Sequence, residues 1–64
     1  MYGVILNELF VKSHRNKVSI TMGNYAPFEG TVVDIKDGMV AVENNTEKMY
    51  FNIEDIDDLY VYDE

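Results

Sequence analysis

The chain has 64 residues, with 12 acidic side chains against 5 Lys and Arg, a single His and no Cys, for a formal net charge of −7. That length holds one domain (residues 1–64) with a small core, and the missing cysteines exclude disulfides and thiolate metal sites. At 47% hydrophobic and 27% charged, the composition is that of a folded soluble domain rather than a disordered one.

The first predicted element is a helix over about residues 3–13. Ile5, Leu6, Leu9 and Phe10 form an apolar stripe at helical spacing, flanked by Val4, with Asn7, Glu8 and Lys12 on the other face. Lys12, His14 and Arg15 fall where the helix should end, and cations suit the negative end of its dipole. The period then changes to two. Val18, Ile20 and Met22 alternate with Lys17, Ser19 and Thr21, which predicts a half-buried strand. Gly23 to Pro27 is loop chemistry.

A long second strand runs from Phe28 to Lys36. Phe28, Gly30 and Val32 share one face, whereas Val33 and Ile35 fall on the other, and this change of phase predicts a sharp bend or bulge. Gly30 suits a place where the strand curls tightly. Asp37-Gly38 predicts a two-residue hairpin turn into a third strand, Met39 to Glu43. Asn44-Asn45-Thr46 predicts a second turn, followed by a strand from Lys48 to Ile53. Residues 54–58 read as a short turn that tucks in Ile56, and a fifth strand places Leu59 and Val61 inward and Tyr60 and Tyr62 outward. The expected architecture is all-β (small α+β): a strongly bent five-stranded antiparallel barrel, about residues 16–62, capped by the N-terminal helix. Closure would remove exposed edges.

Leu6-Asn7-Glu8-Leu9, Arg15 through Val18-Ser19-Ile20, Phe28-Glu29-Gly30-Thr31-Val32, Met39 nine residues after Gly30, and the apolar set Ile56, Leu59 and Val61 together resemble the Sm/LSm family. The pattern is nearest to its bacterial Hfq-type RNA-chaperone branch. The resemblance covers nearly the whole chain and rests mostly on core and turn positions. It implies an Sm-like (SH3-like) barrel and a homo-oligomeric ring of five to eight subunits. In such a ring the fourth strand of one copy pairs with the fifth strand of the next, and backbone hydrogen bonds supply the affinity. It also implies binding of single-stranded RNA, with an altered pocket. The family's acid, stacking and base-reading positions fall on Lys36, Gly38 and Val40, and its second motif falls on Phe51, Asn52 and Ile53. Of these only Phe51 keeps the family's chemistry, and Asp37 lies one place from the expected acid.

A ring would also stabilise a chain of this size. A domain of about 60 residues buries only about 60% of the surface its unfolded form exposes. With no disulfide, and with His14 unable to build a zinc site alone, oligomerisation is the remaining staple. Tyr50, Phe51, Tyr60 and Tyr62 are the candidate subunit-interface residues, since aromatic side chains are enriched at interfaces.

The charge is uneven. Residues 1–22 carry Glu8 against Lys12, Arg15 and Lys17, a net of +2, while residues 23–64 carry 11 acids against Lys36 and Lys48, a net of −9. Lys12, His14, Arg15 and Lys17 are candidate phosphate contacts, multiplied by ring symmetry, and Tyr25, in the loop beside Pro27 and least constrained by packing, is a candidate for stacking bases. The acidic body suggests a second reading, a protein-interaction ring that engages a basic protein and has lost RNA binding.

No enzyme is expected. His14 near Ser13 and Ser19 has no group to orient it, and Asp34 with Asp37 flanks a hairpin turn. Glu54, Asp55, Asp57 and Asp58 read as a solvated acidic turn rather than a metal site, and no cofactor is implied. Asn44-Asn45-Thr46 matches a glycosylation acceptor, which has meaning only in a secreted chain. No apolar run is long enough to span a membrane, and the first residues lack the pattern of a secretory signal, so a cytoplasmic location is expected.

Overall fold

Six of the nine residues of helix α1, Gly3–Val11, are large and apolar, yet a helix can turn only one stripe toward a core. In the computed structural model, which describes residues 2–11 and 17–62, that stripe centres on Leu6, which is fully buried. Leu9 and Tyr2 pack partly against the core, while Ile5 and Phe10 stay partly open to solvent. Val4 and Val11, 73% and 67% exposed, share the far side with Glu8. The expected four-residue stripe is thus narrower than the apolar content of the helix suggests, because only Leu6 points straight at the sheet. The helix packs against the second strand.

Five strands follow: β1 (Lys17–Thr21), β2 (Phe28–Lys36), β3 (Met39–Glu43), β4 (Lys48–Asn52) and β5 (Asp58–Val61), with a 3-10 turn at Ile53–Asp55 between the last two. They form one antiparallel sheet in the order β4-β3-β2-β1-β5. The fourth strand ends one residue earlier than expected. Asn52 turns the chain by accepting the Glu54 amide on its Oδ1 at 3.1 Å, which starts the 3-10 turn. The turn buries Ile56, as its apolar side chain in an acidic segment predicts.

The bend in β2 has two visible causes. Val32 pairs with Val42 and Asp34 with Ala41, so Val33 is a bulged residue without a partner. The extra residue changes the inward phase, which lets Val32 and Ile35 both contribute to the core although three positions separate them. At Gly30 the strand passes so near β3 that a Cβ would lie 2.6 Å from the Glu43 carbonyl oxygen. No side chain fits there. The β2–β3 turn has Asp37 at φ 55° and Gly38 at φ 78°, the left-handed backbone a two-residue hairpin needs.

Leu6, Val18, Ile20, Val32, Val40, Val42, Phe51 and Ile56 make a single core, with Leu59 and Val61 packed against it. Residues of β4 and β5 therefore meet the same core although these strands stand at opposite margins, so the sheet curls around it. The curl stops short of a closed barrel. β4 and β5 do not pair, and each leaves one backbone edge uncovered among the described residues. A 3-10 turn carries the chain from one margin to the other.

Candidate functional site

Alternation places Lys17, Ser19, Glu29, Thr31 and Tyr60 on the outer face of the β2–β1–β5 half. Ser19 sits between Glu29 on one neighbour and Tyr60 on the other. On this face Glu29 is a hub. The Tyr62 hydroxyl donates to Glu29 Oε2 at 2.5 Å, and Lys17 Nζ lies 3.4 Å from Oε1. Lys17 Nζ is also 5.0 Å from the Tyr62 ring centroid, and the Tyr62 ring meets Tyr60 edge-on at 5.0 Å. The Tyr62 hydrogen bond first, and then the hydrogen bond and charge of Lys17, hold the Glu29 carboxyl below the usual carboxylate range. The same hydrogen bond pushes the Tyr62 phenol up, since ionisation would remove the donated proton.

Beside this hub an open cleft of about 760 Å³ runs between Lys17, Phe28, Thr31 and the β3–β4 turn. Asn44 shapes the turn. Its Oδ1 accepts from the amides of Thr46 and Glu47 and from the Thr46 hydroxyl, and its Nδ2 donates to the Glu29 carbonyl oxygen at 3.1 Å. The side-chain amide that a glycan would need is thereby engaged within the chain.

Of the candidate phosphate contacts, Lys12, His14 and Arg15 lie outside the described residues. Lys17 is exposed but engaged with Glu29 and Tyr62. Tyr25 is 80% exposed, held in its loop by its own amide donating to the Met22 carbonyl. Lys17 opens β1 and Tyr25 follows its end, so about 14 Å of strand separates them and the structure does not bring them together.

The candidate interface aromatics divide. Tyr50 and Tyr60, 58% and 60% exposed, stand on the two opposite margins. Tyr62 is half-buried in the Glu29 hub. Phe51 belongs to the core, with its ring centroid 5.7 Å from that of Phe28. It is turned into the core of its own chain, on the face of β4 opposite Tyr50. At the positions matching the family's pocket, Val40 is fully buried, Ile53 packs against the core, Gly38 sits in the hairpin turn and Asn52 caps the 3-10 turn.

A second groove was not legible as a site in the sequence. It lies on the outer face of the β2–β3–β4 half and encloses about 390 Å³ between Asp34, Lys36, Asp37, Met39, Ala41 and Tyr50. Asp34, Ala41 and Tyr50 are direct cross-strand partners in one row. The bulge at Val33 creates that row. Without the extra residue, Asp34 would share the inward face with Val32. The change of phase at Val32–Val33 was the available signal, but it bears on backbone shape and does not by itself point to a surface.

Among the described residues, no three His, Asp or Glu side chains converge to hold a metal ion. In the acidic segment, the Asp57 carboxylate accepts the Gly23 amide and its own amide donates to the Thr21 carbonyl, which ties the β1–β2 loop to the start of β5. No described helix is long and apolar enough to cross a membrane. Comparison of the chain with models of known families, with curated proteins and with solved structures finds no match.

Proposed function

We propose that this chain is a non-enzymatic Sm-like ring subunit that binds single-stranded RNA with an altered pocket. The observation that carries the ring is the pair of uncovered margins. Among the described residues, the sheet leaves β4 open on one side and β5 on the other, each with an exposed Tyr, Tyr50 or Tyr60. Pairing β4 of one copy with β5 of the next satisfies both edges at once, and repetition of that contact closes a homo-oligomer. The strand order and the N-terminal helix agree with the resemblance in Leu6-Asn7-Glu8-Leu9 and Phe28-Glu29-Gly30-Thr31-Val32. RNA binding rests on Lys12, His14, Arg15 and Lys17, repeated around the ring, with Tyr25 as the stacking group.

Three observations favour a second reading, a ring that engages a basic protein instead of RNA. Lys17 is already paired with Glu29, Val40 is sealed in the core, and the Asn52 side-chain oxygen is occupied. In either reading the ring works in the cytoplasm and needs no cofactor.

Native mass spectrometry of protein purified without nuclease tests the assembly, with five to eight copies expected and a monomer refuting it. Fluorescence anisotropy with short U-rich and A-rich RNA at low salt separates the two readings. Micromolar binding to either RNA supports the first, and no binding to both removes it. Because every copy carries −7, added salt should strengthen the ring by screening repulsion between subunits, while weakening any RNA complex.

A further inference from the structure

The groove between Asp34 and Tyr50 has a chemistry distinct from the rest of the surface. Its floor is Ala41, which lies on the outer face yet is only 1% exposed, because the larger side chains of its neighbours overhang it. Asp34 stands on one side of Ala41 and Tyr50 on the other, two strand spacings or about 10 Å apart. Met39 extends the apolar floor toward the hairpin turn, where Asp37 adds a second carboxylate. The lining is a short apolar track with an aromatic wall and two acids.

Neither Asp34 nor Asp37 has an ion-pair partner among the described residues, although Lys36 lines the same groove. The Tyr50 ring already receives a cation from its own strand. Lys48 Nζ lies 5.7 Å from the ring centroid, and Lys48 is not among the groove-lining residues. The surroundings reinforce the sign, with 11 acids against Lys36 and Lys48 over residues 23–64. Phosphates would be repelled here, and a cation attracted.

We propose that this groove docks an arginine-bearing basic segment of a partner protein. One Arg lays its stem along Met39, above the covered Ala41, stacks its guanidinium on Tyr50 and directs its donors to Asp34. Charge complementarity selects the sign of the partner, and the aromatic wall selects Arg over Lys. A guanidinium is flat, stacks on rings and offers paired donors to a carboxylate, whereas an ammonium is a compact, strongly hydrated point charge. The groove lies within one chain and requires neither the ring nor RNA binding. Tyr50 also stands at the β4 margin, so Asp34→Asn alone, which leaves that margin intact, should weaken peptide binding without changing the mass of the assembly, and the failure of the groove stays distinguishable from that of the ring.

The test is fluorescence anisotropy of a labelled peptide of alternating Arg and Gly, titrated with the purified chain at low salt. The wild type should bind with Kd below about 1 mM, as suits a few exposed contacts. The double variant Asp34→Asn, Tyr50→Ala should bind about tenfold more weakly, since it loses a cation–π contact and an exposed ion pair. Glu47→Gln removes one acid away from the groove, and its binding should stay within about twofold of wild type. Circular dichroism confirms that each variant is folded. Equal weakening by Glu47→Gln would reduce the effect to net charge and overturn the proposal. So would undiminished binding by the double variant, absence of binding by the wild type, or a Lys-Gly peptide that binds as tightly as the Arg-Gly one.

Discussion

The β2–β3 hairpin and the two sheet margins differ in how much of their structure one chain completes. In the hairpin, every ladder position except the bulged Val33 has a partner, the turn backbone suits Asp37 and Gly38, and Val32, Val40 and Val42 are buried. At the margins, β4 and β5 present backbone unpaired among the described residues, and exposed tyrosines. The hairpin is where a substitution is answered inside the monomer. The margins are where, in the proposed ring, a substitution would be answered by a second copy. An unpaired edge is a template for another strand, and a protein of this size that keeps two of them must cover or use them.

That contrast predicts the largest loss of monomer stability at the centre. Gly30→Ala places a methyl group 2.6 Å from the Glu43 carbonyl oxygen and 2.9 Å from a Val42 methyl. Backbone cannot yield as a flexible side chain can, so β2 and β3 must separate. A cost of about 3 kcal/mol or more is expected, enough to unfold much of a small domain at 25 °C, as read by urea denaturation followed by circular dichroism. Leu6→Ala comes next, at about 2–4 kcal/mol, because it removes the fully buried side chain through which α1 meets the core. The apolar residues Val4 and Val11, on the outside of the same helix, should tolerate Ala within about 0.5 kcal/mol. Equal losses at Leu6 and Val4 would mean that the helix docks through a different face.

The margins should behave in the opposite way. Tyr60→Asp lies on an exposed position of β5, so the monomer should keep its fold and its circular dichroism spectrum. It adds a further acid two residues from Asp58, at the edge proposed to meet β4 of the next copy, and burying an uncompensated carboxylate there is costly. Light scattering should show a smaller assembly than the wild type. An unchanged mass would remove β5 from the interface.

The order of elements was legible because each follows from short-range chemistry. The helical spacing of Leu6 and Leu9, the alternation of Val18 and Ile20, the Asp37-Gly38 turn and the apolar Ile56 inside an acidic segment all act locally. What stayed hidden was relational. The alternation that exposes Tyr50 also buries Phe51, but which face of β4 meets the core depends on the phase of β2, and that is set by the bulge at Val33. The pairing of Lys17 with Glu29 and Tyr62 brings together residues up to 45 positions apart, and no pattern along the chain announces it. The groove at Ala41 is hidden for the same reason, since its row joins three strands.

The smallest effect tests the hub that ties the start of β1 to the end of β5. Glu29 titrates below its ordinary value because Tyr62 and Lys17 favour its charged form. The folded carboxyl thus has a lower pKa than the unfolded one, and the unfolded chain binds the proton more readily. The contribution of Glu29 to stability is therefore present above the ordinary Glu value, about 4.3, and is lost as the pH falls below it through the folded value. Glu29 and Lys17 are exposed and Tyr62 is only half-buried, so the change in stability should be slight, and the titration itself is the better readout. Tyr62→Phe deletes the larger cause while leaving Lys17 at 3.4 Å, so the Glu29 side-chain carbon followed by NMR should titrate at higher pH than in the wild type, yet still below an unperturbed Glu. Lys17→Met removes both a hydrogen bond and a charge, and it too should move the titration to higher pH. If Tyr62→Phe left the Glu29 titration where it is in the wild type, Lys17 rather than the phenol would be what holds this corner of the sheet.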